Sequence, residues 1–411
     1  MNYEETIEYL YNSAPLFQNI GGKAYKEGLD NTLALDEHFG HPHKKFKTIH
    51  IAGTNGKGSC SHTIAAVLQE AGYRVGLYTS PHLIDFRERI KVNGKMIPQQ
   101  AVIDFVENER VFFEPLHPSF FELTTALAFK YFADEKVDVA VIEVGLGGRL
   151  DCTNIITPEL SIITNISFDH IQFLGDTLAK IASEKAGIIK KGVPVVIGET
   201  TPETRPVFQR KAEEQGSAIF FAEGIKCKME ELKSELEGLC QEKNTKTISV
   251  ALEVLRERGF NISDKNIKDG FSKVCELTGL MGRWQKLSDS PRVYCDTGHN
   301  VGGFQYISRQ LAGISCNTLR IVFGMVNDKD ISHVLEMLPK NAKYYFTKAS
   351  VSRALDEKEL ARLASTYNLE GETFCSVEQA YRQALSDSGN DDFIFVGGST
   401  FIVADLLKFV Y

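Results

Sequence analysis

The sequence predicts an α/β protein with two domains, a larger one built on a parallel sheet and a smaller, Rossmann-like one at the C-terminal side. The chain has 411 residues, and one domain usually takes about 100–200 of them. Short runs rich in Val and Ile alternate with helical patterns, as is typical of strands buried on both faces of a parallel sheet. A glycine-bearing stretch over 278–283 interrupts this alternation. We therefore predict domains over residues 1–280 and 285–411.

The predicted strands form two series along the chain. The first strand, Lys47–Ala52, is short and β-branched, and it leads into a glycine-rich loop and a helix around 63–68. Further strands of the first domain are predicted over Val75–Tyr78, 137–142, 160–164 and 193–197. Those of the second domain are predicted over 292–295, Leu319–Phe323, 344–347 and 393–396, with helices such as 356–364 and 377–385 between them. The polar stretch 230–246 is predicted to be an exposed excursion of the first domain.

Composition excludes several classes of protein. With 46 Lys and Arg against 54 Asp and Glu, the net charge is −8, whereas a general nucleic-acid binder is basic. No run approaches the roughly 18 apolar residues of a membrane span, and the acidic start at Glu4 and Glu5 lacks the basic region of a signal peptide. The eight cysteines include no C-x-x-C pair, which argues against a zinc knuckle or a redox motif. Scattered cysteines in a chain of this size are typical of a reducing cytoplasm. We expect a cytoplasmic protein that acts on small molecules.

The strongest chemical signal is the segment Gly53-Thr54-Asn55-Gly56-Lys57-Gly58-Ser59, which follows a strand and opens a helix. Glycines let backbone N–H groups approach phosphate oxygens, the helix N-terminus favours anions, and Lys57 would reach the terminal phosphates. The first domain is thus predicted to be a P-loop ATPase domain, with a plain glycine turn as the alternative. The usual pattern places Ser or Thr directly after the lysine. Here Gly58 stands there, so another residue must supply the hydroxyl that holds Mg²⁺.

Further motifs follow the loop in a characteristic order. They are Thr79-Ser80-Pro81-His82-Leu83, Glu143-Val144-Gly145-Leu146-Gly147-Gly148-Arg149-Leu150-Asp151, Phe168-Asp169-His170, Glu184-Lys185-Ala186-Gly187-Ile188, Gly282-Arg283 and Asp296-Thr297-Gly298-His299-Asn300. Together with the loop they resemble the signatures of folylpolyglutamate synthase and dihydrofolate synthase, a family of the Mur ligase superfamily. The resemblance covers nearly the whole chain.

The resemblance implies an ATP-dependent ligase of folate biosynthesis that joins L-glutamate to a pterin carboxylate. The acceptor would be dihydropteroate, a (tetrahydro)folate polyglutamate or both, and a bifunctional enzyme is our expectation. ATP would convert the carboxylate into an acyl phosphate, which the glutamate amine attacks with release of phosphate. Such chemistry depends mainly on positioning and on charge neutralisation. The family is commonly monomeric.

The resemblance maps Mg²⁺ ligands to Ser80, Glu143 and His170. All three follow predicted strands at their carboxyl ends, where open α/β sheets bind ligands, and Ser80 would supply the hydroxyl that Gly58 lacks. Taken without the resemblance, Ser80 could be a turn residue before Pro81, Glu143 an exposed strand-end charge and His170 a structural histidine.

Lys185 matches a lysine that is typically carbamylated by CO₂ in the proteins that the chain resembles. The carbamate would be an anionic oxygen ligand for a second Mg²⁺. This reaction needs the neutral amine, which burial or nearby cations favour. The alternative is a solvated charge on a helix. The resemblance thus implies two Mg²⁺ ions and catalytic roles for Lys57, His170 and Lys185.

The resemblance also assigns substrate contacts. ATP would contact the loop residues Thr54, Asn55, Gly56, Lys57, Gly58 and Ser59, together with Asn244, Arg283 and Asp296, although Arg283 could instead form an interdomain salt bridge. The pterin would contact Ser119, Phe120, Phe121, Glu122, Leu150, Asp151 and Cys152, and a loop before Gly28. One of the two phenylalanines could equally be a core residue. Arg353 and Ser399 are candidates for binding the glutamate carboxylate.

Two other functions are alternatives to this one. A peptidoglycan-type Mur ligase shares the loop and the metal acids, but it would carry an additional N-terminal domain, for which the chain before Lys47 is too short. A non-catalytic P-loop switch would need no second reactant, whereas Asp296, His299 and Asn300 in the second domain indicate one. The folate-type ligase is therefore the leading hypothesis.

Overall fold

The computed structural model describes residues 1–13, 28–225, 232–327 and 329–411. The chain forms two compact units. The first consists of Met1–Glu235 and Gln241–Leu280, and the second of Leu236–Cys240 and Met281–Tyr411. None of the described helices is both long enough and apolar enough to cross a membrane. The seven cysteines of the described residues are free thiols.

The first unit is built on an eight-stranded sheet. Its strands are β1 (Lys47–Ala52), β2 (Val75–Tyr78), β3 (Ile90–Val92), β4 (Lys95–Met96), β5 (Val139–Glu143), β6 (Leu160–Ile163), β7 (Val195–Ile197) and β8 (Ile219–Phe221). They lie in the order β4-β3-β2-β5-β1-β6-β7-β8. Only β3 and β4 are antiparallel to their neighbours. Because β1 lies between β5 and β6, the segments that follow these three strands meet at one edge of the sheet.

Helices cover both faces of this sheet. They are Tyr3–Ser13, Asp30–His38, Lys57–Glu70, Gln99–Phe113, Phe120–Asp134, Ile171–Leu174, Leu178–Ala186, Arg205–Gln215, Gln241–Glu257, Asp264–Ser272 and Val274–Thr278. Short 3-10 helices span Pro42–Lys45, Phe86–Arg89, Glu114–Leu116, Cys152–Ile155 and Ala222–Gly224. With both faces covered, the strands can be apolar along their whole length, which explains the Val- and Ile-rich runs.

Side-chain alternation gives each face of the sheet its own core. On one face, Ile49 and Ile51 of β1 pack with the helices Lys57–Glu70 and Gln241–Glu257. On the other, Tyr78 and Ile142 pack with the helix Phe120–Asp134. The helix Lys57–Glu70 is enclosed, because all of its residues from Gly58 to Leu68 are buried, and several of these are small.

The second unit is built on a six-stranded sheet with the order β13-β12-β11-β14-β10-β9. Its strands are β9 (Gln285–Asp289), β10 (Arg292–Asp296), β11 (Leu319–Phe323), β12 (Lys343–Thr347), β13 (Gly371–Phe374) and β14 (Phe393–Gly397). Only β9 is antiparallel to its neighbour. The helices are Val301–Ala312, Ile331–Met337, Glu357–Ser365, Val377–Ser386 and Thr400–Val410.

Polar side chains begin each helix of the second unit. The residues before the five helices are Asn300, Asp330, Asp356, Ser376 and Ser399, and the side chain of each accepts a backbone N–H of the first turn. Such N-caps are worth about 1 kcal/mol each. Leu360, Phe304 and Phe395 belong to the core beneath these helices.

The α/β prediction is confirmed, and the strand bounds differ by a few residues. The strand predicted over 193–197 begins at Val195, because Pro194 has no N–H for the ladder. The strand predicted over 137–142 spans Val139–Glu143, so Glu143 is its last residue. The prediction of an exposed excursion over 230–246 is wrong for its described end. Gln241 and Asn244 are buried in the first turn of a helix, since hydrogen bonds compensate their burial.

Candidate active site

The glycine-rich loop joins β1 to the helix Lys57–Glu70, whose N-cap is Gly56 with φ of 84°. A Cβ atom on Gly56 would lie 2.4 Å from Asn244 Oδ1, and one on Gly53 would lie 1.8 Å from Thr164 Oγ1. Both positions therefore require glycine. Lys57 Nζ donates to the carbonyl oxygens of Gly53 at 3.0 Å and Thr54 at 3.2 Å. The lysine charge thus lies over the glycine-rich loop.

The helix Gln241–Glu257 contacts the loop from one side. Gln241 Nε2 donates to Ser59 Oγ at 3.3 Å, and Asn244 Nδ2 donates to Gln241 Oε1 at 2.9 Å. The structure therefore brings Asn244 together with Gly56 and Ser59, as the predicted ATP contacts require.

Residues 164–167, which follow β6, contact the loop from another side. Asn55 N–H donates to Asn165 Oδ1 at 2.9 Å, and Asn55 Nδ2 donates to Ser167 Oγ at 3.2 Å. Sequence reasoning did not single out Asn165 or Ser167. The one feature that could have indicated these two residues is their position, because they follow the carboxyl end of β6, which neighbours β1.

Ser80 and Glu143 lie together at the carboxyl ends of β2 and β5. Glu143 is 3% exposed, so the alternative of an exposed strand-end charge is wrong. The Ser80 N–H lies 3.3 Å from Glu143 Oε2 and donates to it. A serine turn and a buried carboxylate thus share one edge of the sheet.

His170 is the N-cap of the short helix Ile171–Leu174 and has φ of 51°. Such a φ is uncommon for residues other than glycine. Asp169 Oδ1 accepts the His170 N–H at 2.9 Å and lies 3.7 Å from His170 Nε2. Within the described part of the chain, no three His, Cys, Asp or Glu side chains are grouped so that they could hold a metal ion. The assignment of His170 as a metal ligand stays a prediction.

Lys185 lies on the helix Leu178–Ala186 and is 4% exposed, so the alternative of a solvated helix charge is wrong. Burial and, as the second-largest cause, the positive charge of Lys57 lower the pKa of Lys185 to about 7, against the opposing charges of Asp169 and Asp151. A large fraction of this amine is therefore uncharged near neutral pH. The electrostatic effect of Asp169 on Lys185 could not be assigned from the sequence.

The predicted pterin contacts separate into core and surface residues. Ser119 and Glu122 form a capping box at the start of the helix Phe120–Asp134, each side chain accepting the other's backbone N–H. Phe120 is 2% exposed and belongs to the core. Phe121 is half-buried and covers Gly145, where a Cβ atom would lie 2.5 Å from its ring. Of the two rings, only that of Phe121 is open to a ligand.

Asp151 holds the turn that follows the glycine-rich segment after β5. Its Oδ1 accepts the Thr153 N–H at 3.0 Å, its Oδ2 accepts the Leu146 N–H at 2.9 Å, and burial raises its pKa. Leu150 and Cys152 flank it and are half-buried. The loop expected before Gly28 belongs to residues 14–27 and lies outside the described residues.

In the second unit, Asp296 ends β10 and accepts two backbone N–H groups. Its Oδ2 accepts from Trp284 and its Oδ1 from Gly298, each at 2.7 Å. Burial raises the pKa of Asp296, and the charge of Arg283 is the strongest opposing influence. The two predicted ATP contacts of this unit are therefore electrostatic neighbours.

The candidate glutamate residues also lie close together. The Arg353 guanidinium is 4.9 Å from the centre of the Phe401 ring. Phe401 belongs to the helix Thr400–Val410, which Ser399 caps by accepting the Ile402 N–H. Arg353 thus lies beside a ring in the first turn of this helix, and arginines and helix N-termini both attract carboxylates.

Comparison with known proteins identifies the family of both units. Residues 51–255 match the Mur ligase middle domain, and residues 282–400 match the glutamate ligase domain of Mur ligases. The dihydrofolate synthase/folylpolyglutamate synthase of Bacillus subtilis is 33% identical over 420 aligned residues, which cover 93% of this chain and 95% of that protein.

Solved structures give the same result. Escherichia coli FolC in complex with DHPP and ADP superposes with a TM-score of 0.87 at 29% identity, covering 100% of this chain and 98% of that one. The bifunctional folylpolyglutamate synthase/dihydrofolate synthase of Yersinia pestis, with AMPPNP and a Mn ion, gives a TM-score of 0.85 at 29% identity, with coverage of 100% and 98%. The chain belongs to the Mur ligase family, in its branch of folylpolyglutamate and dihydrofolate synthases, and is an ATP-dependent glutamate ligase of folate metabolism.

Proposed function

We propose that this chain carries both activities of its branch. It would add the first glutamate to dihydropteroate and further glutamates to (tetrahydro)folates. The ATP chemistry that both activities share is supported by the Lys57 loop, the Ser80–Glu143 pair at the carboxyl edge of the first sheet, and the buried Lys185, which is an electrostatic neighbour of Lys57. The relatives named for both reactions support the proposal. The net charge of −8 supports small-molecule substrates rather than nucleic acid.

The loop residues Thr54 to Ser59 would hold the phosphates of ATP. Lys57 would neutralise charge on the terminal phosphate, as lysines of such loops do. Asn244 lies against Gly56 and would limit the nucleotide on that side. In the second unit, Arg283 and Asp296 are the proposed ATP contacts.

The residues present fit a divalent cation. Glu143 offers a buried carboxylate, and the adjacent Ser80 turn offers a hydroxyl. Both are hard oxygen donors, which Mg²⁺ prefers. Ser80, Glu143 and His170 would hold the first ion, which would neutralise phosphate charge when bound.

Lys185 would carry a carbamate. Its neutral amine would attack CO₂, a C–N bond would form, and one proton would leave to solvent. The burial of Lys185, its pKa of about 7 and the neighbouring charge of Lys57 support this reaction. The anionic oxygens would then be donors for a second Mg²⁺. With ¹³C-labelled bicarbonate, a carbamate carbon signal should arise in the protein and be absent from Lys185→Ala.

Substrate positioning completes the mechanism. The exposed face of Phe121 would lie against the flat pterin ring, and Arg353 with the helix start at Ser399 would hold a carboxylate of glutamate. The pterin carboxylate attacks the terminal phosphorus of ATP, and ADP leaves. The neutral glutamate amine then attacks the acyl carbon and forms the amide C–N bond. The bond between the acyl carbon and the phosphate oxygen breaks, inorganic phosphate leaves, and the nitrogen releases a proton to solvent.

The test is ATP-dependent phosphate release with dihydropteroate and with tetrahydrofolate in separate assays, each with and without glutamate, with product chain length read by mass spectrometry. Amide products from both acceptors are expected. Products from one acceptor alone would show that the chain is monofunctional. Phosphate release that depends on neither acceptor nor glutamate would favour a non-catalytic P-loop switch. The match to the folate branch does not favour a peptidoglycan ligase.

A further inference from the structure

The peptide between Thr54 and Asn55 is held by the segment that follows β6. Thr54 N–H donates to the carbonyl oxygen of Asn165 at 2.9 Å. Asn55 N–H donates to Asn165 Oδ1 at 2.9 Å, and the Asn55 carbonyl accepts the Thr164 hydroxyl at 2.6 Å. These three bonds therefore fix the orientation of three consecutive peptide groups in the phosphate loop, from Gly53–Thr54 to Asn55–Gly56.

Ser167 reinforces the same part of the loop. Its N–H donates to Thr54 Oγ1 at 3.1 Å, and the Thr54 hydroxyl lies 3.2 Å from the Ser167 carbonyl. Both of these contacts are made to the side-chain hydroxyl of Thr54 and not to its backbone. Asn165 differs, because its side chain bonds directly to a backbone N–H of the loop.

The other end of the Asn165 side chain is also held. Its Nδ2 donates to Glu199 Oε1 at 3.5 Å, and Glu199 Oε2 lies 3.9 Å from Lys243 Nζ. Lys243 belongs to the helix Gln241–Glu257, which also carries Asn244. An amide has one acceptor and one donor end, so Glu199 orients Asn165 with its oxygen toward the loop.

Such fixation matters because the loop contains three glycines, at positions 53, 56 and 58. Glycine loses more conformational freedom than any other residue when it is ordered. A loop that is already held in its binding shape loses less on binding, and the ligand then binds more tightly.

We propose that Asn165 is a positioning residue for the nucleotide. It acts through the peptide between Thr54 and Asn55, and Glu199 orients its amide. The proposal rests on the assignment of the Lys57 loop to ATP. The same segment continues into Asp169 and His170, so it also links the loop to a proposed metal ligand.

The test is ADP binding by calorimetry in Asn165→Ala, with the steady-state constants for ATP and folate. We expect ADP affinity to fall about tenfold, which corresponds to about 1.4 kcal/mol. KM for ATP should rise, KM for folate should stay the same, and thermal stability should change little because Asn165 is half-buried. Asn261→Ala, at an exposed position of the same unit, is the matched control.

A second pair of variants tests the orienting role of Glu199. Asn165→Asp keeps an acceptor for the Asn55 N–H but cannot donate to Glu199 and adds a like charge beside it. Combining it with Glu199→Gln restores one donor and one acceptor in the reverse direction. The double variant should bind ADP more tightly than Asn165→Asp alone, and equal affinities would overturn the proposal.

The variant Lys57→Ala tests the assignment of the loop to ATP separately from the positioning role of Asn165. If Lys57→Ala binds ADP as well as the unmodified protein, the loop is not the nucleotide site. If Lys57→Ala loses ADP binding while Asn165→Ala keeps it unchanged, the loop assignment stands and the positioning role of Asn165 is wrong.

Discussion

The positive charge of Lys57 contributes to lowering the pKa of Lys185 to about 7, second only to burial. One lysine reaches over the phosphate loop, and the other is buried in the helix Leu178–Ala186. Repulsion between the two cations favours the neutral form of the more buried one. The residue that would attract phosphate therefore also makes its neighbour a better nucleophile toward CO₂.

Replacing Lys185 should slow turnover strongly whether or not the positive charge is kept. Lys185→Ala and Lys185→Arg should each lower kcat on the order of 100-fold, because neither side chain can form a carbamate. Lys180→Ala, at an exposed position of the same helix, is the control. The measurement is kcat at saturating ATP with added bicarbonate. Substantial activity in Lys185→Arg would contradict the carbamate.

Glu143→Gln should raise the Mg²⁺ concentration needed for half-maximal activity at least tenfold, because a neutral amide binds a hard cation less well than a carboxylate. Ser80→Ala should act in the same direction with a smaller effect. Titration of activity with Mg²⁺ checks both variants, and Glu203→Gln at an exposed position provides the comparison. An unchanged Mg²⁺ requirement in Glu143→Gln would remove this residue from the metal site.

The two neighbouring phenylalanines should respond differently to truncation. Phe120→Ala should lower the free energy of unfolding by about 3–5 kcal/mol, because it removes a core side chain. Phe121→Ala should change stability less and should raise KM for the pterin substrate. Chemical unfolding and steady-state kinetics on both variants measure the split. An unchanged KM in Phe121→Ala would exclude the ring contact.

Arg353→Ala should raise KM for glutamate at least tenfold while ADP affinity stays unchanged, because a bidentate guanidinium–carboxylate contact would be lost. Arg353→Lys should recover only part of the effect, since an ammonium lacks the planar fork. Steady-state kinetics at varied glutamate concentration measure both. A change confined to ATP constants would place Arg353 elsewhere in the reaction.

His50 should make the protein less stable in acid. Burial, aided by the charge of Lys190, lowers the pKa of His50 from 6.5 to about 3. Below pH 6.5 the unfolded chain therefore takes up a proton that the folded protein does not. This difference should cost about 2 kcal/mol between pH 8 and pH 5. The loss should be absent from His50→Gln, which denaturant unfolding at several pH values would measure.

The apolar strands could be predicted from the sequence because strands buried on both faces of a parallel sheet are rich in Val and Ile along their whole length. The polar residues were harder. Gln241 and Asn244 lie in a charge-rich stretch, and only the hydrogen bonds among Ser59, Gln241 and Asn244 explain their burial. Asn165 gave no chemical signal, because its role depends on β6 lying beside β1. Strand order is a long-range property that local patterns do not contain.

Site residues likewise divide into those that the local sequence predicts and those that depend on the tertiary structure. The loop and the carboxylate of Glu143 follow from motif and strand position. The separate roles of Phe120 and Phe121 do not, because adjacent helical residues point about 100° apart and composition cannot tell which one faces the core. The neutral amine of Lys185 likewise depends on burial and on Lys57, which are far apart in sequence.

The enclosed helix Lys57–Glu70 has a consequence for which substitutions the enzyme tolerates. Cys60, Ser61, Ala65 and Ala66 are fully buried where this helix meets its neighbours. Because protein interiors are close-packed, even one added methyl group there would push the helix outward, and its first turn is the phosphate loop itself. None of these small residues would touch the nucleotide. Substituting them with larger residues would nevertheless move the phosphate loop and so change the affinity for ATP.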